Sequence, residues 1–389
     1  MRAEVLPYRL PMIRPWVAAR AILTERRGAL LHLIDADGYE GWGDCAPLPS
    51  GGDPQRVIDA LHRWACRPAS ADSPKQGGAR RDVLISASAD SPKQGGARRD
   101  VFISASADSP KQGGARRDAF ISASADFHTL PPEARWAIET AQADLAARRA
   151  NLPLWRHLGG NRDTVEVNAA LGPLDDDLPR RLGEAATKGY RIGKIKVGLA
   201  PIDEEIARLR ALPNGLRLRL DANRAWREDD APRFLLALRD RPIDAVEEPL
   251  AQPSLASLAA LQAELPFALA LDESLPDSSL ALLIESRAVR RLVLKPARLG
   301  GITPTRRIAQ AAQAAGIEVV LTSVIDSAIG LTATAHLAAA LAPALAHGLG
   351  TSAWLALDVA APPAISGGIL QLPNVAGLGI TPAAVPAGG

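Results

Sequence analysis

The chain reads GKIKV at residues 193–197, LRLRLD at 216–221, IDAVEEP at 243–249, FALALDES at 267–274, RRLVLKP at 290–296 and IEVVLTS at 317–323. Each is a short β-branched or leucine-rich run without turn residues, the pattern of parallel strands buried on both faces. Each is closed by a chemically capable residue: Lys196, Asp221, Glu247, Asp272, Lys295 and Ser323, which recur every 23 to 28 residues. A strand, a helix and two short loops take about that length, since a βαβ crossover needs on the order of 30 residues. The segments between them read as helices: PIDEEIARLRAL, REDDAPRFLLALRD, PSLASLAALQAEL, DSSLALLIESR and TPTRRIAQAAQAAG. Strand–helix alternation with one functional residue at each strand's C-terminal end predicts a β/α barrel of TIM type with its active site on that face.

With VEVNAAL (Val165 to Leu171) as the first strand, Lys196 falls on the second, the three carboxylates on the third to fifth, and Lys295 on the sixth. In a barrel of about eight strands, the second and sixth face each other across the mouth. Three carboxylates converging between them suit a hard divalent cation such as Mg²⁺, with Mn²⁺ as an alternative. The two lysines would flank whatever the metal holds. Lys194, Arg219, Asn223, Thr322 and Ser323 lie beside these positions and are candidate contacts to a small carboxylate substrate. Each has a plainer reading: Lys194 as an alternating strand residue, Arg219 as the partner of an acid, Thr322 and Ser323 as turn residues. Glu248 reads as a residue behind the ligands. Gly300–Gly301 marks a backbone close to a ligand or a tight turn. AHGLGTS puts His347 to Thr351 at the spacing of a seventh strand end in the series, with His347 structural.

The rest of the 389 residues frame this barrel. Residues 1 to about 60 read as a meander with turns at Arg26–Gly28 and Asp35–Gly38. RVIDALHRWACR begins a helix, and PPEARWAIETAQADLAARRANLPLW continues as a long amphipathic one ending near Asn151. Between them, residues 69–122 hold three near-copies of ASADSPKQGGARRDVLIS at a period of 18. Their Ser, Ala, Gly, Lys and Asp content cannot bury a core, so they read as a flexible surface insertion, with an interaction module as the alternative. ISGGILQLPNVAGLGI, near the end, reads as strands and turns returning to the N-terminal domain. The expected division is a capping domain at 1–160, the barrel at 161–354 and the tail at 355–389.

Charge excludes some functions. The formal net charge is +2, but each repeat carries one Lys, two Arg and two Asp, so the three repeats supply +3 and the remainder is −1. No nucleic-acid partner is expected on that distribution. No run of 18 apolar residues and no secretory leader pattern occurs, so no membrane association is expected. Two cysteines, Cys45 and Cys66, give no disulfide framework, and a cytoplasmic location fits. The oligomeric state is left open.

KIKVG, DANRAW, EEPL, LDESL, LKPARLGG and TSVIDSAIGLTATAHLAA together resemble the enolase superfamily, in its branch with a Lys-x-Lys motif. LRLDANRAW, EEPL, DESL, TSVIDSAIGLT and the N-terminal EGWGDCAPLP are especially similar to the o-succinylbenzoate synthase family, next to muconate cycloisomerases. N-acylamino acid racemases and dipeptide epimerases share the constellation and stand as the alternative. The resemblance implies an α+β capping domain over a modified (β/α)₇β barrel with one Mg²⁺. By motif, Asp221, Glu247 and Asp272 are the ligands, Lys196 the general base and Lys295 the opposing cation. The implied reaction is a dehydration, a carbon–oxygen lyase step of menaquinone synthesis. In it Lys196 takes the proton α to a carboxylate while the cation stabilises the enediolate. Lys196 must be neutral for this, which burial and a neighbouring cation both favour.

Overall fold

A computed structural model describes residues 1–18, 21–49, 52–67, 126–275, 279–342 and 344–383. The 69–122 repeats lie outside the described residues. Three elements form an antiparallel sheet: β1 (Arg2–Ala18), β2 (Ala21–Ile34) and β3 (Glu40–Cys45). The turn at Asp35–Gly38 is there, with Asp35 Oδ1 accepting the Asp37 and Tyr39 amides and Gly38 at φ +82°. The turn expected at Arg26–Gly28 is not. Those residues lie inside β2, where Arg26, Arg27 and Gly28 pair with Leu10, Arg9 and Tyr8. The glycine serves close approach instead: a Cβ at Gly28 would sit 2.4 Å from the Tyr8 hydroxyl.

Helices α1 (Pro54–Ala65) and α2 (Pro132–Arg149) back this sheet. The approach of α2 to β3 is very close, since a Cβ at Gly41 or Gly43 would come within about 2 Å of the Ala141 or Ala137 carbonyl. Such closeness explains why α2 is buried nearly all round rather than along one stripe. A short helix, α3 (Leu154–His157), follows, then β4 (Thr164–Glu166).

Seven parallel strands then alternate with helices. They are β5 (Ala169–Pro173), β6 (Ile192–Lys196), β7 (Arg217–Asp221), β8 (Ile243–Glu247), β9 (Ala268–Leu271), β10 (Arg291–Leu294) and β11 (Glu318–Leu321). The helices are α4 (Leu178–Thr187), α5 (Ile202–Ala211), α6 (Ala231–Ala237), α7 (Leu255–Glu264), α8 (Leu280–Ser286), α9 (Pro296–Leu299), α10 (Ile302–Ala314) and α11 (Ala328–Leu341). Sheet order follows chain order from β5 to β11. The ring closes through His347–Gly348, which bridges Val167 on one side and Thr322 on the other, both in parallel. The molecule is therefore a modified (β/α)₇β barrel with an α+β cap.

The single first strand expected over Val165 to Leu171 is two strands. β4 pairs antiparallel with β13 (Ile369–Gln371), which pairs with β12 (Ile365–Ser366); only β5 enters the barrel. The break at Val167–Asn168 is where the chain hands its hydrogen bonds over, Asn168 N donating to the His347 carbonyl. Farther along the tail, the Leu378 amide donates to Asp144 on α2, the same carboxylate that accepts the Trp42 amide of β3. One buried aspartate thus ties tail, helix and cap sheet together. Among the described residues no helix is long and apolar enough to cross a membrane.

Candidate active site

The strand ends deliver the residues read from the spacing. β6 ends at Lys196, β7 at Asp221 and β8 at Glu247, while Asp272 and Lys295 follow β9 and β10 directly. Register puts Lys196 beside Asp221 and Asp221 beside Glu247. Lys194, Lys196, Asp221, Asn223, Asp272, Lys295, Thr322 and Ser323 line one cleft of about 690 Å³ at the barrel mouth.

The carboxylates and lysines are interleaved. Lys194 Nζ donates to Glu247 Oε2 and lies 3.1 Å from Asp221 Oδ2. Lys295 Nζ donates to Asp272 Oδ2 at 2.5 Å. Lys196 Nζ donates to Asn223 Oδ1 at 2.5 Å, 3.8 Å from Asp221 Oδ2. Asn223 in turn donates to Glu273 Oε1 at 2.7 Å, so it orients the Lys196 side chain. Burial pushes Glu247 and Asp272 above the usual carboxylate range, and neighbouring carboxylates add to it: Asp221 and Asp272 around Glu247, Glu273 beside Asp272. Asp221 is also opposed by burial but ends below its ordinary value, because Lys194, Lys196 and Lys295 all bear on it. Burial likewise opposes the Lys194 ammonium, yet the three carboxylates prevail and hold its pKa above the ordinary lysine value.

Among the described residues no three acidic, histidine or cysteine side chains are drawn together tightly enough to enclose a metal. Asp221 and Glu247 turn to Lys194, and Asp272 turns to Lys295. By chemistry, the donor set still fits a hard divalent cation: three buried carboxylates on adjacent strand ends, all oxygen donors. Glu248 stands behind them, accepting from the Asp272 and Ser274 amides and the Ser274 hydroxyl. Burial moves it up to about 7.

Arg219 does not reach the cleft. It is 1% exposed and is consumed by Asp244 at 2.8 and 3.0 Å, the Asn168 side chain and the Ala346 carbonyl. It faces into the barrel like Asp221 but one layer deeper, as a residue two positions earlier on a strand must. Thr322 Oγ1 donates to the Gly348 carbonyl and Ser323 shares a hydrogen bond with Thr351, so both hydroxyls also stitch the closing segment. Gly300 and Gly301, at φ +85° and +142°, let the chain approach the Arg135 and Glu139 side chains of α2 rather than a ligand. His347 is fully engaged, its Nδ1 accepting the Leu321 amide, and burial lowers its pKa to about 4.

Other residues at the mouth had no spacing to reveal them. Arg224 lies on the loop from β7 to α6 and Arg298 on α9, and Leu48 and Trp16 come from the cap, Trp16 with its ring 5.9 Å from Lys196 Nζ. Backbone strain also gathers here. Asn223, Arg224, Glu248 and Ile325 all have φ between +46° and +65°, and such conformers cost of order 1–3 kcal/mol and collect at functional sites.

Residues 177–384 match the family described as Enolase C-terminal domain-like. A hydrophobic dipeptide epimerase of Enterococcus faecalis is 34% identical over 64% of this chain and 73% of its own. An o-succinylbenzoate synthase of Desulfotalea psychrophila is 28% identical over 61% of this chain and 67% of its own. A solved dipeptide epimerase from Enterococcus faecalis, complexed with Mg and the dipeptide L-Leu-L-Tyr, superposes with a TM-score of 0.74 at 23% identity, over 98% of this chain and 99% of that one.

Proposed function

This chain belongs to the enolase C-terminal domain-like family, and from that premise we propose that it dehydrates 2-succinyl-6-hydroxy-2,4-cyclohexadiene-1-carboxylate to 2-succinylbenzoate. Lys196 takes the proton from the carbon α to the carboxylate. The new lysine ammonium then gives that proton to the hydroxyl leaving the adjacent carbon. One C–H and one C–O bond break, a C=C bond forms and water departs; aromatisation makes the step downhill. Asn223 holds the Lys196 Nζ in place, and Lys295 faces the substrate from the strand opposite. Asp221, Glu247 and Asp272 would hold a divalent cation, which supplies positive charge against the substrate's carboxylate as the α-proton leaves. A positioned base of this kind contributes roughly 10²–10⁴-fold.

The observation that carries the substrate choice is the charge of the cleft wall. Among its described lining residues the only acids are Asp221, Asp272 and Glu273, all on the ligand side. The opposite wall offers the Thr322, Ser323 and Thr351 hydroxyls with Val324, Ile325, Gly348 and Gly350, and the rim adds Arg224 and Arg298. A free ammonium, as on a dipeptide, finds no carboxylate there, whereas a succinyl arm finds cations and hydroxyls. A second reading shares this wall: racemisation of N-succinylamino acids, in which Lys295 delivers a proton to the face opposite Lys196.

Three substrates separate the readings. With Mg²⁺ present, the cyclohexadiene is followed by ultraviolet absorbance; an N-succinylamino acid and a hydrophobic dipeptide are followed by α-proton exchange in D₂O. The proposal expects the dehydration to have the highest kcat/KM and the dipeptide the lowest. Exchange of the dipeptide faster than both succinyl compounds overturns it.

A further inference from the structure

The cap and the barrel meet at a buried cluster that catalysis as described does not use. Arg26 of β2 is 1% exposed and spans three backbone carbonyls: its Nε donates to Ile325 at 2.9 Å, Nη1 to Pro47 at 2.9 Å and Nη2 to Ala46 at 2.6 Å. Both acceptor segments run straight into the cleft. Leu48 and Pro49 line it from the cap side, and Thr322, Ser323, Val324 and Ile325 line it from the barrel side. Arg26 itself is not among the lining residues.

Ile325 is held at φ +62°. For a β-branched residue that conformation is a genuine outlier, and it persists only where its surroundings over-determine it. The surroundings are on the cap. Arg26 grips the Ile325 carbonyl, and two residues on, Asp44 Oδ2 accepts both the Ser327 amide at 3.0 Å and its hydroxyl at 2.9 Å. Tyr8 donates to the other Asp44 oxygen at 2.7 Å. A Cβ at Gly330 would lie 2.6 Å from Asp44 Oδ2, so α11 is seated directly on the cap strand.

We infer that Arg26 is a positioning residue of the active site: it fixes the 46–49 and 322–325 loops against each other and so sets how the barrel mouth fits the distal part of the substrate. This rests on the mouth being the substrate site proposed above. A guanidinium suits this role because its three nitrogens are spread over a rigid plane and each meets its own carbonyl, whereas an ammonium's three donors radiate from a single atom.

Arg26→Ala would strip the counter-charge from buried Asp44 and Asp326, so the test uses Arg26→Lys, which keeps it. Hydrogen–deuterium exchange comes first, because it needs no substrate. The expected result is faster exchange in residues 44–49 and 322–330 with β6 to β8 unchanged; unchanged exchange in both loops overturns the inference whatever the enzyme acts on. Steady-state kinetics come second. Arg26→Lys is expected to raise KM on the order of tenfold with kcat nearly kept, since binding contacts are disturbed and the lysines are not. An unchanged KM in a variant whose loops exchange faster also overturns it. The third arm adds Ile325→Gly, which accepts the left-handed conformation without strain. In that Ile325→Gly background, Arg26→Lys should raise KM only about twofold, and full additivity removes the link to Ile325. Failure of the wild type on every succinyl substrate would instead count against the proposed function, leaving the exchange result to judge Arg26.

Discussion

Lys194 and Lys196 leave one strand two residues apart and meet different partners. Lys194 is locked between Asp221 and Glu247, while Lys196 donates to a neutral amide, Asn223, with Asp221 farther off at 3.8 Å, which is why the proposed reaction gives the proton transfer to Lys196. Lys196→Ala is therefore expected to lower kcat by about 10²–10⁴-fold with the melting temperature nearly unchanged, measured by turnover and calorimetry on the same samples. Metal binding gives a second prediction. A ligand at 100 times its Kd stabilises by about 2.7 kcal/mol, so millimolar Mg²⁺ should raise the melting temperature of the wild type. Glu247→Gln should lose most of that shift; an equal shift in both would place the cation elsewhere. These positions were legible in the sequence because each ends a strand at a regular interval. Arg219 was not, because period-two alternation says which face a residue takes and nothing about its depth in the barrel. Arg26 escaped for a related reason: Arg-Arg-Gly looks like a turn until the Tyr8 ring that needs the glycine is in view.

At the scale of elements, the β1–β2 hairpin is pinned at the mouth by one aromatic side chain. Trp354 meets Trp16 edge-on at 4.5 Å, and the Arg14 guanidinium stacks 4.4 Å from the Trp354 ring centre. Such contacts are worth roughly 1–2 kcal/mol together. Trp354→Ala should therefore speed hydrogen exchange in residues 11–16 and 22–25 and raise KM, leaving the exchange of the barrel strands as it was. The loop between β11 and α11 has a pH signature. Asp326 is buried facing Asp44 and Glu133, with Arg26 opposing, and its Oδ1 has no hydrogen-bond partner among the described residues. Burial first, then repulsion from Asp44, raises its pKa from 3.8 to about 7. A raised carboxyl favours the folded state while protonated. Its contribution is complete below about pH 4, declines as pH rises, and is lost above about 7. Asp326→Asn should thus flatten that part of the melting-temperature profile between about pH 4.5 and 8, and a slope equal to wild type's would contradict the assignment. The elements themselves were mostly readable from periodicity and strand-end spacing. The division of 165–171 into β4 and β5 was not, because the partner that recruits β4 lies some 200 residues away, and no local pattern announces it.

At the scale of the molecule, every residue to which the proposed chemistry assigns a role lies in the barrel, outside the repeats. The chain leaves the described cap at Arg67 and returns at Asp126, and these two side chains form an ion pair at 2.8 Å. The described residues on either side of the insertion therefore meet, and shortening the connection between them should cost little, loop-closure entropy changing by about 0.6 kcal/mol per doubling of length. Replacing residues 69–124 by a short Gly-Ser linker should leave kcat/KM within about twofold and the melting temperature within a few degrees; loss of turnover in a folded protein would show that the repeats contribute to the site. The sequence alone could separate repeats from barrel by composition, but only the fold shows that their anchor points touch. The claim on which the rest depends is that Lys196 abstracts an α-proton in a cation-dependent dehydration. Its most direct measurement is the ultraviolet absorbance change of 2-succinyl-6-hydroxy-2,4-cyclohexadiene-1-carboxylate with purified protein and Mg²⁺, beside Lys196→Ala and a chelator control. The account predicts rapid conversion to 2-succinylbenzoate that disappears in both controls. No conversion by folded, Mg²⁺-loaded wild-type protein, or conversion that survives in Lys196→Ala, would contradict it.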